Sequence, residues 1–118
     1  MKTHDIEDRA FRFACRVVEM EKRLARSATV KPPILKQATS SATAIGSNLE
    51  EARGAQSRGD FHAKIHISLK EAREAKYWLR VVENTSGLPA VRFASLIKEA
   101  SELVAMLTTI AKKTNPEV

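Results

Sequence analysis

The chain has 118 residues, 43% of them hydrophobic and 29% charged, and a formal net charge of +6; this is a globular composition with room for one domain and one modest core. No apolar run approaches the ~18–20 residues of a bilayer span, and the opening MKTHDIEDR lacks the apolar stretch of a signal peptide, so no membrane association and a cytoplasmic location are expected. A single cysteine excludes an internal disulfide and a multi-thiolate zinc site, while the basic excess is spread thinly along the chain, favouring anionic partners without forming a dense nucleic-acid arm.

Glycine and proline, four of each, fall at boundaries and divide the chain into four segments. The first helix is predicted from about Asp5 to Arg26. Ile6, Ala10, Phe13, Val17, Met20 and Leu24 recur at helical spacing, with Phe11, Val18 and Ala25 as a second apolar seam beside them. A face that wide suits a helix packed between two neighbours. Cys15 falls within this helix and is expected to be a small, partly buried packing residue.

The second helix is predicted to begin near Pro32–Ile34, since proline is tolerated in a first turn. Leu35, Ala38, Ala42, Ile45, Leu49 and Ala52 keep the period, and the intervening small residues let another helix approach closely. Ser57-Arg58-Gly59-Asp60 has the form of a capping box for the third helix. That helix continues through Phe61, Ile65, Ser68, Ala72, Ala75, Leu79 and Val82 to about Asn84, with Gly87 placed to end it. Pro89 can open the fourth, in which Val91 and Ala94 are early apolar positions. Phe93, Leu96, Ile97, Ala100, Leu103, Val104, Leu107, Ile110 and Ala111 make its buried face, and Lys112 and Lys113 suit its C-terminal dipole. Short loops between helices of similar length imply antiparallel neighbours. The expected fold is all-α, a single antiparallel up-down-up-down four-helix bundle over residues 1–118.

No catalytic arrangement is present in the sequence. No glutamate precedes His4, His62 or His66 by three residues, so the di-iron pattern of ferritin-like bundles fails. His62 and His66 stand one helical turn apart in HAKIH, without a zincin glutamate or an evident third ligand. There is no phosphate-cradling glycine loop and no nucleophile elbow. The protein is expected to be no enzyme and to take no metal or cofactor.

Two charged stripes are more informative. Arg9, Arg12, Arg16, Glu19, Arg23 and Arg26 share one face of the first helix; His66, Lys70, Arg73, Tyr77 and Arg80 share one of the third. Each stripe is either a solvated face or a phosphate-binding surface, since arginine matches phosphate geometry and an interleaved tyrosine can stack on a base. Arg53 and Arg58 add charge in the loop between helices two and three, where simple turn chemistry also accounts for them. Glu71, Glu74 and Trp78 lie beside the core seam of helix three. Trp78 adjoins Tyr77, so both rings cannot enter one core, and a large outward aromatic suggests a subunit interface.

The segment SSATAIGSNLEEARGAQSRGDFHAKIHISLKEAREAKYWLRVV resembles the signature of a bacterial four-helix-bundle family. Some members are encoded in intervening sequences of large-subunit rRNA genes. The family is also similar to the accessory variability determinant of diversity-generating retroelements. The residues that carry the resemblance are Ser41, Ala44, Asn48, Glu51 and Ala52, then Ser57, Phe61 and Lys64, then Ser68-Leu69-Lys70-Glu71-Ala72 with Glu74, Tyr77, Trp78 and Leu79. The resemblance implies a four-helix bundle, a ring-shaped homopentamer, and binding of nucleic acid and of a reverse transcriptase through a basic surface.

The expectation is a non-enzymatic homopentamer that binds RNA or DNA non-specifically through Arg9, Arg12, Arg16, Arg23, Arg53, Arg58, Lys70, Arg73 and Arg80. Glu71, Glu74, Tyr77 and Trp78 would form the subunit interface. The alternative is a protein-interaction scaffold that needs no nucleic acid.

Overall fold

Every break in the apolar period becomes a turn. The computed structural model describes residues 3–116, with side chains from residue 5 onward. Four helices fill this stretch: α1, Thr3–Ser27; α2, Pro32–Arg53; α3, Arg58–Thr85; and α4, Val91–Thr114. Each packs antiparallel on the next, and α4 returns to α1 to complete the up-down-up-down bundle, 47 Å long and 20 Å across. No helix among the described residues is long and apolar enough to cross a membrane.

The helix ends follow local chemistry. α1 stops where Ser27 Oγ donates to the Leu24 carbonyl and Ala28 takes a left-handed φ of 56°. The Ser57 hydroxyl accepts from the Asp60 amide at 3.0 Å, the first half of the expected capping box. Asp60 closes it differently, accepting from the Gln56 amide at 3.3 Å. Gly87 supplies the positive φ, 76°, that leads away from α3. Pro89 stands just ahead of α4, where its carbonyl accepts from the Arg92 amide.

The main core joins α1 (Phe13, Val17), α2 (Ile45, Leu49), α3 (Ile65, Leu79) and α4 (Leu103, Leu107) along the bundle axis. A smaller cluster of Leu24, Val30, Leu35, Val82 and Phe93 seals the end at the α1–α2 and α3–α4 turns. Alanine and serine line the inner face of α2, so α3 lies close against it. Ser68, fully buried, donates its hydroxyl across that contact to the Ile45 carbonyl at 2.9 Å. On the other side of α2, Gly46 faces the Ala10 backbone of α1.

Two expectations about burial need correction. Phe11, Val18 and Ala25 do not form a second packed seam: Phe11 is 68% exposed, Val18 half-buried and Ala25 exposed. The Ile6–Leu24 stripe meets both neighbours unaided, because α2 is thin enough to come close. Cys15 is exposed for the same reason, on the outer corner of α1. Val91 and Ala94, the early apolar positions of α4, stand outside its buried face and are exposed, the first turn projecting past the core.

Replacing Ser68 with alanine removes one buried interhelical hydrogen bond and should lower stability by ~0.5–1.5 kcal/mol in urea unfolding. Ala28→Gly relieves a left-handed alanine and should raise stability by about 1 kcal/mol in the same measurement.

Candidate functional site

The nine basic residues singled out in the sequence do not form one surface. α1 and α3 make no close approach among the described residues, so they occupy diagonal corners of the bundle. The α1 stripe flanks α4. Lys70, Arg73 and Arg80 are exposed on the outer face of α3, across the bundle's 20 Å width. Arg53 and Arg58 belong to neither stripe.

Several of these residues have structural partners. Arg9 is clamped between two carboxylates of α4. Its Nε donates to Glu99 Oε2 at 2.9 Å, its Nη2 to the other oxygen of Glu99 and to Glu102 Oε1 at 2.7 Å, and its Nη1 lies 3.3 Å from Met106 Sδ. A guanidinium so occupied ties two helices together and has little left for a phosphate. Hydrogen bonding to Arg9 holds the Glu99 carboxyl below its ordinary value, against the opposing effect of burial. Arg53 faces Glu7 at 3.4 Å. Arg58 donates to the carbonyls of Lys113 and Thr114, satisfying the free end of α4.

Two of the remaining α1 arginines open onto a groove. Arg16 and Arg23 line a hollow of about 460 Å³ between α1 and α4, together with Arg92 near the start of α4. Met20, Leu24, Phe93 and Leu96 make its apolar floor, and Leu88 closes one end. Arg16 donates to Ser95 Oγ at 2.7 Å, a neutral partner. Neither Arg23 nor Arg92 has an ion-pair partner among the described residues. Glu19, also at the groove, is engaged by Lys22 at 3.4 Å. Arg12 is exposed nearby on α1. Three guanidiniums around an apolar floor can hold an anion whose body is partly apolar.

Sequence reasoning missed Arg92. It stands alone on α4 rather than in a stripe, and only the packing of α4 on α1 brings it to Arg16 and Arg23. A weak signal existed: Arg92, Ser95 and Glu99 share one helical face, as do Arg9 and Arg16 on α1.

The residues expected at an interface separate by depth. Tyr77 is 57% exposed, and its ring meets Trp78 edge-to-face at 5.1 Å. Trp78 is half-buried and packs on the core, so the outward aromatic is Tyr77. Glu71 is half-buried and Glu74 exposed. Burial, with the charge of Glu74 adding to it, raises the Glu71 carboxyl above its ordinary value. Lys64 bridges α3 to α2 through Glu51 at 3.0 Å. His62 and His66 meet edge-on at 4.6 Å, with His62 Nδ1 3.2 Å from Thr114 Oγ1. No cluster of three metal-ligating side chains occurs among the described residues.

The family model described as 23S rRNA-intervening sequence protein matches residues 2–109. A crystal structure of a protein with unknown function from the S23 ribosomal protein family of Bacteroides thetaiotaomicron superposes with a TM-score of 0.87. It is 36% identical, and the alignment covers 95% of this chain and 99% of that one. No curated protein matches the chain.

Arg9→Met should cost ~1–2 kcal/mol at neutral pH, a charged hydrogen-bond pair discounted for its partial exposure. Glu99 is held below its unfolded value, so its contribution is complete above the unfolded carboxylate pKa and fades as pH falls through the lowered one. Unfolding curves of the two proteins should therefore converge in acid. A difference that persists unchanged there would mean that Arg9 acts by packing alone.

Proposed function

Because the chain belongs to the 23S rRNA-intervening sequence protein family, we propose that it is a non-enzymatic, cytoplasmic, self-associating protein that binds RNA or DNA through phosphate contacts without base specificity. The α1–α4 groove carries this reading: Arg16, Arg23 and Arg92 converge there, with no carboxylate paired to Arg23 or Arg92 among the described residues. Arg12 extends the same positive face. The apolar floor suits an unstacked base between contacted phosphates, which favours single-stranded over duplex nucleic acid. Assembly into a homopentamer would repeat the groove on one particle and turn a weak contact into a strong one by avidity.

A second reading is favoured by the exposed apolar side chains Phe11, Tyr77 and Val91. In it the homopentamer is a protein-interaction scaffold, its partner a reverse transcriptase or another protein, and nucleic acid plays no part.

The family description names 23S rRNA, so a single-stranded fragment of 23S rRNA is the probe of choice. Its affinity should fall steeply with salt, the logarithmic slope steepening by about 0.7 for each phosphate neutralised on a single strand. The double variant Arg23→Glu, Arg92→Glu should bind about tenfold more weakly or worse and with a shallower slope. Charge reversal of Lys112 and Lys113, at the opposite end of α4, should change little. Affinity indifferent to salt, or equal losses from both double variants, would remove the groove as the binding site and leave the scaffold reading.

A further inference from the structure

The exposed seam on α1 does not end in open solvent; it forms one wall of a groove. Phe11, Ala14 and Val18 face Thr43, Gly46 and Ser47 of α2 across a trough of about 550 Å³. Its rim is acidic, made by Glu7, Glu19 and Glu50. One of these carboxylates is under-satisfied: Glu7 Oε1 is buried with no hydrogen-bond partner among the described residues, while Oε2 meets Arg53 only at 3.4 Å. A buried acceptor left open is costly until a donor reaches it. The trough therefore suits a cationic helix with an apolar ridge, the helix-in-groove mode of recognition.

This chain carries such a helix face. On the outside of α3, Ile67 and Tyr77 are exposed at 38% and 57%; the exposed charges on this face are three cations, Lys70, Arg73 and Arg80, and one carboxylate, Glu74, so that it is basic on balance. The charged spans match closely and the apolar ones overlap. At 1.5 Å per residue, Ile67 to Tyr77 spans ~15 Å and Lys70 to Arg80 the same, against ~10 Å for Phe11 to Val18 and ~18 Å for Glu7 to Glu19.

We propose that the α1–α2 groove receives the outer face of α3 from a second copy of the chain, arginine and lysine meeting the acidic rim while Ile67 and Tyr77 cover Phe11 and Val18. The proposal rests on the self-association in the reading above and not on its nucleic-acid contact. Groove and ridge are different surfaces of one molecule, so the contact is heterologous: each copy offers one of each, and assembly continues until rotation closes it. Lys70, Arg73 and Arg80 are then covered, and the α1–α4 arginines remain free for phosphate.

The test uses two full-length variants with opposite lesions, each at exposed positions and each checked for helical content. Phe11→Arg places a cation in the groove. The double variant Arg73→Glu, Tyr77→Glu places anions on the ridge. Light scattering should show wild type as a multimer and each variant alone as a monomer. Mixed in equal amounts, the two should form a two-chain species, because one intact groove and one intact ridge remain. A monomeric wild type, a variant that keeps the wild-type mass, or a mixture that stays monomeric would each overturn the proposal. In particular, a ridge variant that still assembles would mean that the outer face of α3 is not the contact. Arg16, Arg23 and Arg92 are unaltered throughout. Two-chain mixing without any RNA shift would therefore uphold this contact while removing the phosphate-binding reading.

Discussion

The close approach of α2 to its two neighbours governs the rest of this bundle. Ala38, Ala42 and Ala52 fill the inner face of α2 and Gly46 faces α1, while Ser68 of α3 bonds directly to the Ile45 carbonyl. Helices that meet through small side chains sit near the lower limit of interaxial distance. With α2 so near, one apolar stripe on α1 suffices to close the core, and the stripe beside it is left outside. The exposure of Phe11, the groove that it lines and the outward position of Cys15 all follow from that single economy of volume.

Electrostatics then divides the surface. The α1–α4 side carries both a clamp and an opening. At one end Arg9 is consumed by Glu99 and Glu102; at the other Arg16, Arg23 and Arg92 gather around an apolar floor. The α1–α2 side is edged by Glu7, Glu19 and Glu50, and the outer face of α3 is basic on balance, with Lys70, Arg73 and Arg80 against Glu74. A modest net charge is thus compatible with strongly differentiated faces, because mixed signs along the sequence are sorted by helix geometry into separate corners.

Much of the fold was legible because its determinants are local. The four-three spacing of Ile65, Ser68, Ala72, Ala75 and Leu79 marks a helix whatever packs on it, and Ser57 and Gly87 act within a turn of their own positions. The candidate site was legible only in part. Arg16 and Arg23 stand out as a stripe, but the capture of Arg9 by Glu99 depends on how α4 slides along α1. That register is set by core side chains far from both residues. Periodicity also gives the angle at which Phe11 and Cys15 leave the helix without saying whether a neighbour stands there. Phe11 was expected packed and Cys15 partly buried for that reason, and both are exposed. Arg92 belongs to no basic stripe; its sharing a face with Ser95 and Glu99 was a faint signal, since a site assembled from two helices distant in sequence leaves little local pattern.

The order of the contacts carries a consequence for how the molecule opens. α2 meets α3 most extensively, α3 meets α4 next, and α1 meets α4 least. Nearly all of the packing joins helices adjacent in the chain, a topology of low contact order that folds fast by successive hairpins. The α1–α4 seam is then the one with least packing to hold it, fastened chiefly by Arg9 and by the Arg16–Ser95 bond. It is also where three arginines line one groove against the single carboxylate of Glu19. An anion that spans Arg23 and Arg92 would relieve their repulsion and fasten the weakest seam at once, so that occupancy of the groove and rigidity of the whole bundle become one linked equilibrium.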